Sequence, residues 1–440
     1  MPYCQISAIK YSAIMLNLNS QKSSSSQFTL MRAMFAAAVE AALPQNTLSK
    51  FMPPAPKGRT IVVGAGKGSA AMAREFELNY QAPIEGLVVT RYGHGVKCDR
   101  IEIVEAAHPV PDEAGSKAAA RILEMVRGLT EHDLVVALIS GGGSALLSLA
   151  VDGVSAEEKR GVNRALLKSG APIDEMNCVR KHLSKIKGGR LAAAAYPAKV
   201  VTLVISDVPG DDMAAVASGP TVADPTTFAQ SLAILNKYHI EVPPSVLRHL
   251  TEAKNETPKQ LSNTECHCIA SPQKSLEAAA AVALAAGYQP IILSDALEGE
   301  AREVGTMMAG IAFQARRFGQ PVKPPCAIIS GGETTVTVKG TGYGGRNVEY
   351  LLSLALKLNG AENIHALAGD TDGIDGAREV AGAVISPSTL GRARSLGLDP
   401  WAMLANNDGH SFFESLGDQV ITGPTLTNVN DFRVILVDAN

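Results

Sequence analysis

The sequence predicts an α/β fold built from two α/β units, and three observations carry that prediction. Short, continuous apolar runs alternate with helical stretches. A polar stretch at 251–265 interrupts the alternation, which then restarts, and glycine clusters with charged residues stand where the apolar runs end. Continuous apolar strands separated by helices indicate a parallel sheet covered on both faces. Two such units joined near residue 260 are the economical organisation. We therefore expect an N-terminal extension over 1–27, a large unit over 28–262 and a smaller one over 263–440.

From 28 to 43 the spacing of Leu30, Met34, Ala38 and Ala41 is helical, and Pro53, Pro54 and Pro56 break the chain after it. Strands are expected at 61–63, 86–90, 134–140 and 200–206, with helices at 72–76, 113–127, 157–168 and 176–187. Beyond the polar stretch follow a strand at 266–270, a helix at 276–286, a strand at 290–293, a helix at 300–318 and a strand at 326–330. Residues 137–144 read ALISGGGS and 327–334 read AIISGGET, so each half should run an apolar strand into a glycine loop. The first 27 residues end in a serine run, hold no arginine and lack an A-x-A-like cleavage site. They read as a disordered extension rather than a leader.

Composition narrows the function classes. Of 440 residues, 46% are hydrophobic and 19% charged, which excludes a disordered or coiled-coil chain. Forty basic against 43 acidic residues leave a net charge of −3, with no basic excess for a nucleic-acid partner. No stretch approaches the roughly 18–20 apolar residues of a membrane span. The six cysteines are dilute and form no C-x-x-C pair, which suits a reducing, cytoplasmic setting. Cys266-His267-Cys268 is rejected as a zinc site, because strand alternation puts both thiols on one face and His267 on the other.

Ligands of open parallel sheets collect at the carboxyl ends of strands, and five such ends are unusual here. IVVGAGKGSAAMA at 61–73 sets Lys67 among Gly64, Gly66 and Gly68, whose amides can point at an anion. It is a poor dinucleotide fingerprint, since Ser69 stands at the third glycine, and it is not a Walker A loop. Lys67 is expected to contact phosphate. Ser140-Gly141-Gly142-Gly143-Ser144 reads either as close helix–strand packing or as an anion-binding nest opening a helix. Asp207 directly follows a buried strand, with Asp211 and Asp212 close behind, where a general base or a Mg²⁺ ligand would sit.

The fourth end, 330–347, places Gly331, Gly332 and Glu333 at a strand end. A flexible loop through Gly340, Gly342, Gly344 and Gly345 then delivers Arg346 and Asn347 to a helix N-terminus. An arginine there suits neutralisation of transferring phosphoryl oxygens. In the fifth, GDTDGIDG at 369–376, Asp370, Asp372 and Asp375 resemble a cation loop, although the EF-hand pattern fails at Ile374 and Ala381. It reads either as an Asp-Gly-rich turn or as a Mg²⁺ contact through Asp370 and Asp372. Arg180, Lys181, His182, Lys185, Lys187 and Arg190 crowd 177–190. Such a run is usually a solvated face, though it can attract an anionic substrate or nucleotide.

Together these segments resemble the type-2 glycerate kinases, a family with a MOFRL C-terminal domain. The matching stretches are GAGKGSAAMA, TRYGH, AHPVPDEAG, LISGGGSALL, NCVRKHLSKIKGG, SDVPGDDMAAVASGPTVADPTTF, SGGETTVTVKGTGYGGRN, AGDTDGIDG and GPTLTNVNDF, in family order over 28–432. The resemblance implies a Rossmann-like large domain and a smaller α/β domain with the active site in the cleft. It implies ATP- and Mg²⁺-dependent phosphorylation of D-glycerate at its 2-hydroxyl, with Lys67, Asp207 and Arg346 as catalytic residues. Gly64, Gly66, Gly68, Ser140–Ser144, Gly331, Gly332, Glu333 and Asn347 would hold the cofactor, and Asp370 and Asp372 the metal. The sequence departs from the family pattern at Ala107, Val348 and Leu426, which bears on substrate fit more than on reaction type.

Two other readings compete. An NAD(P)H-dependent hydroxypyruvate reductase, a label some relatives carry, draws on Gly64 and Gly66, but no acidic residue ends the second strand, where Arg91 stands. A non-catalytic sugar-acid or nucleotide sensor would not need a lysine, aspartate and arginine set. The sequence leaves the oligomeric state, including a homo-oligomer, open.

Overall fold

The computed structural model describes residues 26–376 and 378–439, so the expected extension lies outside the described residues up to 25. The chain divides into two compact units, one of residues 47–269 and one that joins the segment up to Asn46 to Ala270–Asn440.

In the first unit, β1 (Thr60–Ala65), β2 (Glu85–Arg91), β3 (Ile101–Ala106), β4 (Leu134–Ile139), β5 (Lys199–Ile205) and β6 (Thr264–Ala270) form one sheet in the order 3-2-1-4-5-6. Strands β1 to β5 pair in parallel. Every residue of β1 and β4 is buried, as their unbroken apolar runs require. This order is that of the doubly wound dinucleotide-binding folds, and it reverses direction between β1 and β4. Helices α1 (Ser26–Ala41), α2 (Ser69–Asn79) and α3 (Glu113–Met125) are followed by α4 (Ala156–Lys168) and α5 (Ile173–His182). Then come α6 (Phe228–Lys237) and α7 (Pro244–Glu252). Capping boxes at Ser155/Glu158 and Thr227/Gln230 start α4 and α6. Helices α4 to α7 share a small core of their own around Val162, Leu166, Val179, Phe228 and Leu250.

Four expectations change here. Strand β3 has no continuous apolar run because it is a sheet edge, with a charged, part-exposed IEIVEA sequence. Strand β6 completes the first sheet beside β5 rather than opening the second unit, so the boundary falls after 269 and not at 262. Helix α1 belongs to the second unit. Its face of Met31, Met34, Phe35, Ala38 and Val39 is buried against Leu276, Ala279, Leu367, Phe432 and Val434. Helix α5 also stops at His182, short of 187.

The second unit carries α8 (Pro272–Ala285), β7 (Gln289–Glu300), α9 (Ala301–Phe318), β8 (Cys326–Thr335) and α10 (Arg346–Leu358). After them come β9 (Ile364–Asp370), β10 (Gly382–Ile385), β11 (Gln419–Val420) and β12 (Asp431–Val437). Its sheet order is 11-10-9-12-8-7, and only β7 and β8 run parallel. Gly331 and Gly332 lie inside β8 rather than in a loop, so ALISGGGS and AIISGGET are not structural counterparts. A Cβ at Gly332 would meet the Leu297 backbone at 2.3 Å, which makes that glycine a requirement of strand pairing.

Candidate active site

The reversal between β1 and β4 brings two glycine turns side by side. After β1, the Gly66 amide donates to Val89 O, the Lys67 amide to Gly141 O (2.8 Å) and the Gly68 amide to Ser140 Oγ (3.0 Å). The Ser69 amide donates to Gly66 O. This first turn is therefore internally satisfied, and its amides do not form the anion nest expected from Gly64, Gly66 and Gly68. Gly64 instead permits the close pairing of β1 with β4, since a Cβ there would lie 2.4 Å from Leu138 O. After β4, Gly142 adopts φ 81° and leads a short helix at Gly143–Leu146. Among the described residues the amides of Gly141, Gly142 and Ser144 reach no protein acceptor. The backbone with donors to spare is thus the second turn, with the first as its brace. A side chain at Gly142 would lie 3.1 Å from the His108 ring and 3.3 Å from Lys67 Cγ, which places Lys67 and His108 over this turn.

The chain leaving β5 closes the same edge. Asp207 is half-buried directly past the strand. Further on, Ala217 (φ 52°) and Ser218 (φ 60°) occupy the left-handed region in succession, a strain that clusters at functional turns. Ser144 Oγ and Ser218 Oγ are 2.8 Å apart, and Ser218 Oγ donates to Asn177 Oδ1 at 3.2 Å. Lys187 ties the two strand ends together, with Nζ donating to Ser144 O (2.9 Å) and Ala217 O (3.3 Å). The basic run at 177–190 is accordingly not a solvated face: Lys181, His182 and Lys187 are all buried. His182 bonds Glu256 at 2.8 Å, and Lys181 pairs with buried Asp224 at 3.4 Å. The sequence offered Lys187 only as one member of a basic run, and its tie between the two strand ends was not foreseen. The one signal was its place beside Gly188-Gly189, which fixes a turn rather than a solvated helix.

In the second unit, Arg346 is the first residue of α10 and sits in a cage of acids. Its Nε donates to Asp431 Oδ1 (2.8 Å), Nη1 to Glu333 Oε1 (2.7 Å) and Nη2 to Asp370 Oδ2 (2.7 Å). Burial opposes its charge, but the three carboxylates raise its pKa well above the ordinary arginine value. Asp431 is also paired with Arg433 and accepts from Asn347 Nδ2 at 2.8 Å. Asn347 is fully buried between Asp431 and Asp375. Asp375 accepts the amides of Asn347 (3.1 Å) and Val348 (3.0 Å), so it caps the helix that carries Arg346. Burial pushes the Asp375 carboxyl up, against the pull of His410 and those amides.

The glycine-rich approach to Arg346 is pinned rather than flexible. Asn407 Oδ1 accepts from the amides of Lys339 and Gly340, Asn406 Oδ1 from Thr341, and Asp408 Oδ1 from Tyr343. A Cβ at Gly340 would lie 2.2 Å from Asn406 O and one at Gly344 2.5 Å from Asn407 O. These glycines exist for close approach of two backbones, and Arg346 is held in place instead of swinging in.

Comparison with known proteins agrees with this architecture. Residues 30–251 match a family described as a domain of unknown function (DUF4147), and 326–431 match the MOFRL family. The D-glycerate 2-kinase of Thermotoga maritima is 44% identical over 401 residues, 91% of this chain and 95% of that protein. A crystal structure of glycerate kinase from the same organism superposes with a TM-score of 0.84 over 92% of this chain and 98% of its own. The chain belongs to the MOFRL-containing glycerate 2-kinase family. A putative hydroxypyruvate reductase of Agrobacterium vitis is 56% identical over 412 residues, covering 93% of this chain and 94% of that protein.

For this MOFRL-family chain, the residues expected from sequence fall into two groups. Lys67, Ser140 to Ser144 and Asp207 stand at the strand ends of the first unit. Glu333, Arg346, Asn347 and Asp370 meet in the second. The metal assignment does not fit. Asp370 gives Oδ2 to Arg346 and Oδ1 to the Asp372 amide, while Asp372 accepts from the Ile374 amide at 2.9 Å. Among the described residues no group of three or more His, Cys, Asp or Glu side chains is arranged to hold a metal ion. No helix among them is long and apolar enough to cross a membrane.

Proposed function

We propose that this chain is a glycerate 2-kinase, transferring the γ-phosphoryl group of ATP to the 2-hydroxyl of D-glycerate to give 2-phosphoglycerate. The observation that carries the reading is the 44% identity to the Thermotoga maritima D-glycerate 2-kinase across almost the whole chain. Phosphoryl transfer asks a protein chiefly for positioning and charge neutralisation. In this reading the second glycine turn cradles phosphate oxygens, and Lys67 over it and Arg346 neutralise the charge of the transferring group. Asp207 accepts a hydrogen bond from the substrate hydroxyl and so orients it towards phosphorus. Mg²⁺ travels with the nucleotide phosphates, since Asp370 and Asp372 are engaged inside the protein.

The reductase reading is favoured by the names of two relatives at 56% and 54% identity. It is opposed by the first turn. A dinucleotide pyrophosphate needs the amides that open α2, and here those of Lys67 and Gly68 are already bonded to Gly141 and Ser140. One preparation tests both. ADP release with ATP, Mg²⁺ and D-glycerate, with the product identified as the 2- rather than the 3-phosphate, supports the kinase. Loss of NADH absorbance with hydroxypyruvate and no ADP release overturns it, and binding without either reaction leaves a sensor.

A further inference from the structure

Among the described residues, three cations of the first unit are withdrawn from water with no acid paired to them. Lys159 and Lys187 are only 3% and 2% exposed, and Arg180 is half-buried on α5. Lys159 Nζ donates to Leu149 O, Lys187 Nζ to the two carbonyls of Ser144 and Ala217, and Arg180 Nη2 reaches only the Met176 thioether at 3.9 Å. Two acids of this region pair with other residues. Asp224 serves Lys181 and Thr226; Glu256 serves His182 and the amides of Phe228 and Thr257. Burial, then the positive charges of Lys159 and Arg180, drives the Lys187 pKa well below its ordinary value, and burial does the same in direction to Arg180. Desolvating a charge without a partner costs several kcal/mol, so such groups normally carry a counter-ion.

We propose that Arg180, backed by Lys187 and Lys159, binds the carboxylate of the hydroxy-acid substrate, a proposal that rests on the kinase reading for its substrate class. Arg180 stands one turn from Asn177 on α5, hence on the same face as the Asn177–Ser218–Ser144 hydrogen-bond chain. A 2-hydroxy carboxylate carries its charge and its hydroxyl on adjoining carbons, which suits a guanidinium beside a pair of serine hydroxyls. The guanidinium fork matches a carboxylate through two parallel hydrogen bonds. The same cations would attract a nucleotide phosphate, and the test separates the two.

The experiment compares wild type with Arg180→Met and Arg180→Lys by melting temperature and steady-state kinetics, with D-glycerate, its uncharged amide, and ATP as probes. Removing an uncompensated cation leaves Arg180→Met melting no lower than wild type without ligand. Its KM for D-glycerate rises at least about 100-fold while KM for ATP stays put, and its melting point no longer responds to D-glycerate. Glyceramide shifts neither protein. Arg180→Lys folds equally and recovers part of the glycerate response, which keeps the test open if the methionine variant misfolds. A lower melting point with an unchanged glycerate response makes Arg180 structural and overturns the proposal, as does a loss confined to ATP. If wild type turns over no glycerate, the kinase reading fails alone. The carboxylate site is then judged by whether 2-hydroxy carboxylates, and not their amides, stabilise wild type but not the variants.

Discussion

Arg346 and Lys187 are both cations drawn out of water at the ends of strands, and the protein treats them in opposite ways. Arg346 is surrounded by Asp431, Glu333 and Asp370, which use three of the five N–H groups a guanidinium owns. Lys187 has two carbonyls and two positive neighbours. The first arrangement is complete without a ligand; the second is electrostatically unfinished. A fixed, fully paired arginine has its orientation decided before any substrate arrives, so it loses nothing to reorganisation when charge develops. A cation without a partner stores unfavourable free energy that an incoming anion releases. The difference teaches that buried charge marks function most clearly where its counter-charge is missing.

Arg346→Ala should give the largest effect, because it removes a charge stabiliser and uncages two buried acids together. We expect roughly 10³-fold loss of turnover and about 3 kcal/mol of destabilisation, read by kinetics and denaturant melts. Arg346→Lys should recover little, since one ammonium cannot serve three carboxylates in a plane. A variant of full stability would break the comparison, for it would mean the cage contributes nothing. Lys67→Ala sharpens it from the other side. The turn around Lys67 is held by its own amides and Ser140, so its backbone keeps its shape when the side chain is removed. Turnover should fall roughly 10²- to 10³-fold with an unchanged melting temperature.

Much of the architecture was legible because buried central strands must be unbroken apolar runs, and β1, β2, β4 and β5 are. The edge strands β3 and β6 were not, since an edge tolerates charge: one went unseen and the other was given to the wrong unit. Glycine around Lys67 suggested open amides in the turn after β1, but those are bonded within the protein, and the amides without a protein acceptor belong to the turn after β4. The stretch at 340–345 read as flexible because its partners, Asn406 to Asp408, lie some 65 residues away in sequence. Charge spacing at 177–190 could not reveal burial, because that depends on the small core shared by α4 to α7. Asp370 and Asp372 looked like metal ligands from spacing alone; that Asp370 binds Arg346 and that both accept backbone amides depends on tertiary contacts that spacing does not carry.

Lys159 tests the unfinished side of the comparison through pH. Burial lowers its pKa from the ordinary lysine value to about 7. Below pH 7 both folded and unfolded chains hold the proton, and the penalty for the buried charge is at its full size. Between about 7 and the unfolded value near 10.5, the unfolded chain binds the proton and the folded chain does not, so stability rises with pH. Lys159→Met should therefore be more stable than wild type at pH 6, by about 1–3 kcal/mol, and the gap should close as the pH approaches 10. A gap that is constant with pH would assign the effect to packing instead of charge.

The smallest expected effect concerns backbone strain. Ala217 and Ser218 hold left-handed φ values next to the Ser144–Ser218 hydroxyl pair, where the strain aims a side chain. Leu426 is also left-handed, at φ 64°, yet it stands between Thr425 and Thr427, whose hydroxyls bond the carbonyls of Thr371 and Ala42. Its conformation is thus imposed by its neighbours, at a cost of about 1–2 kcal/mol for a side chain with a Cβ. Glycine adopts the same φ freely but loses about 0.5–1 kcal/mol in backbone entropy on folding. Leu426→Gly should therefore stabilise the unit by about 0.5–1 kcal/mol, a rise of roughly 1–3 °C for a unit of this size, with kcat unchanged. The matching change at Ala217 should also raise the melting point but lower kcat, because there the strain fixes the serine. If Leu426→Gly melts lower, side-chain packing outweighs strain at that position. If it loses activity, the loop it belongs to takes part in the reaction, and strain would mark function in both units alike.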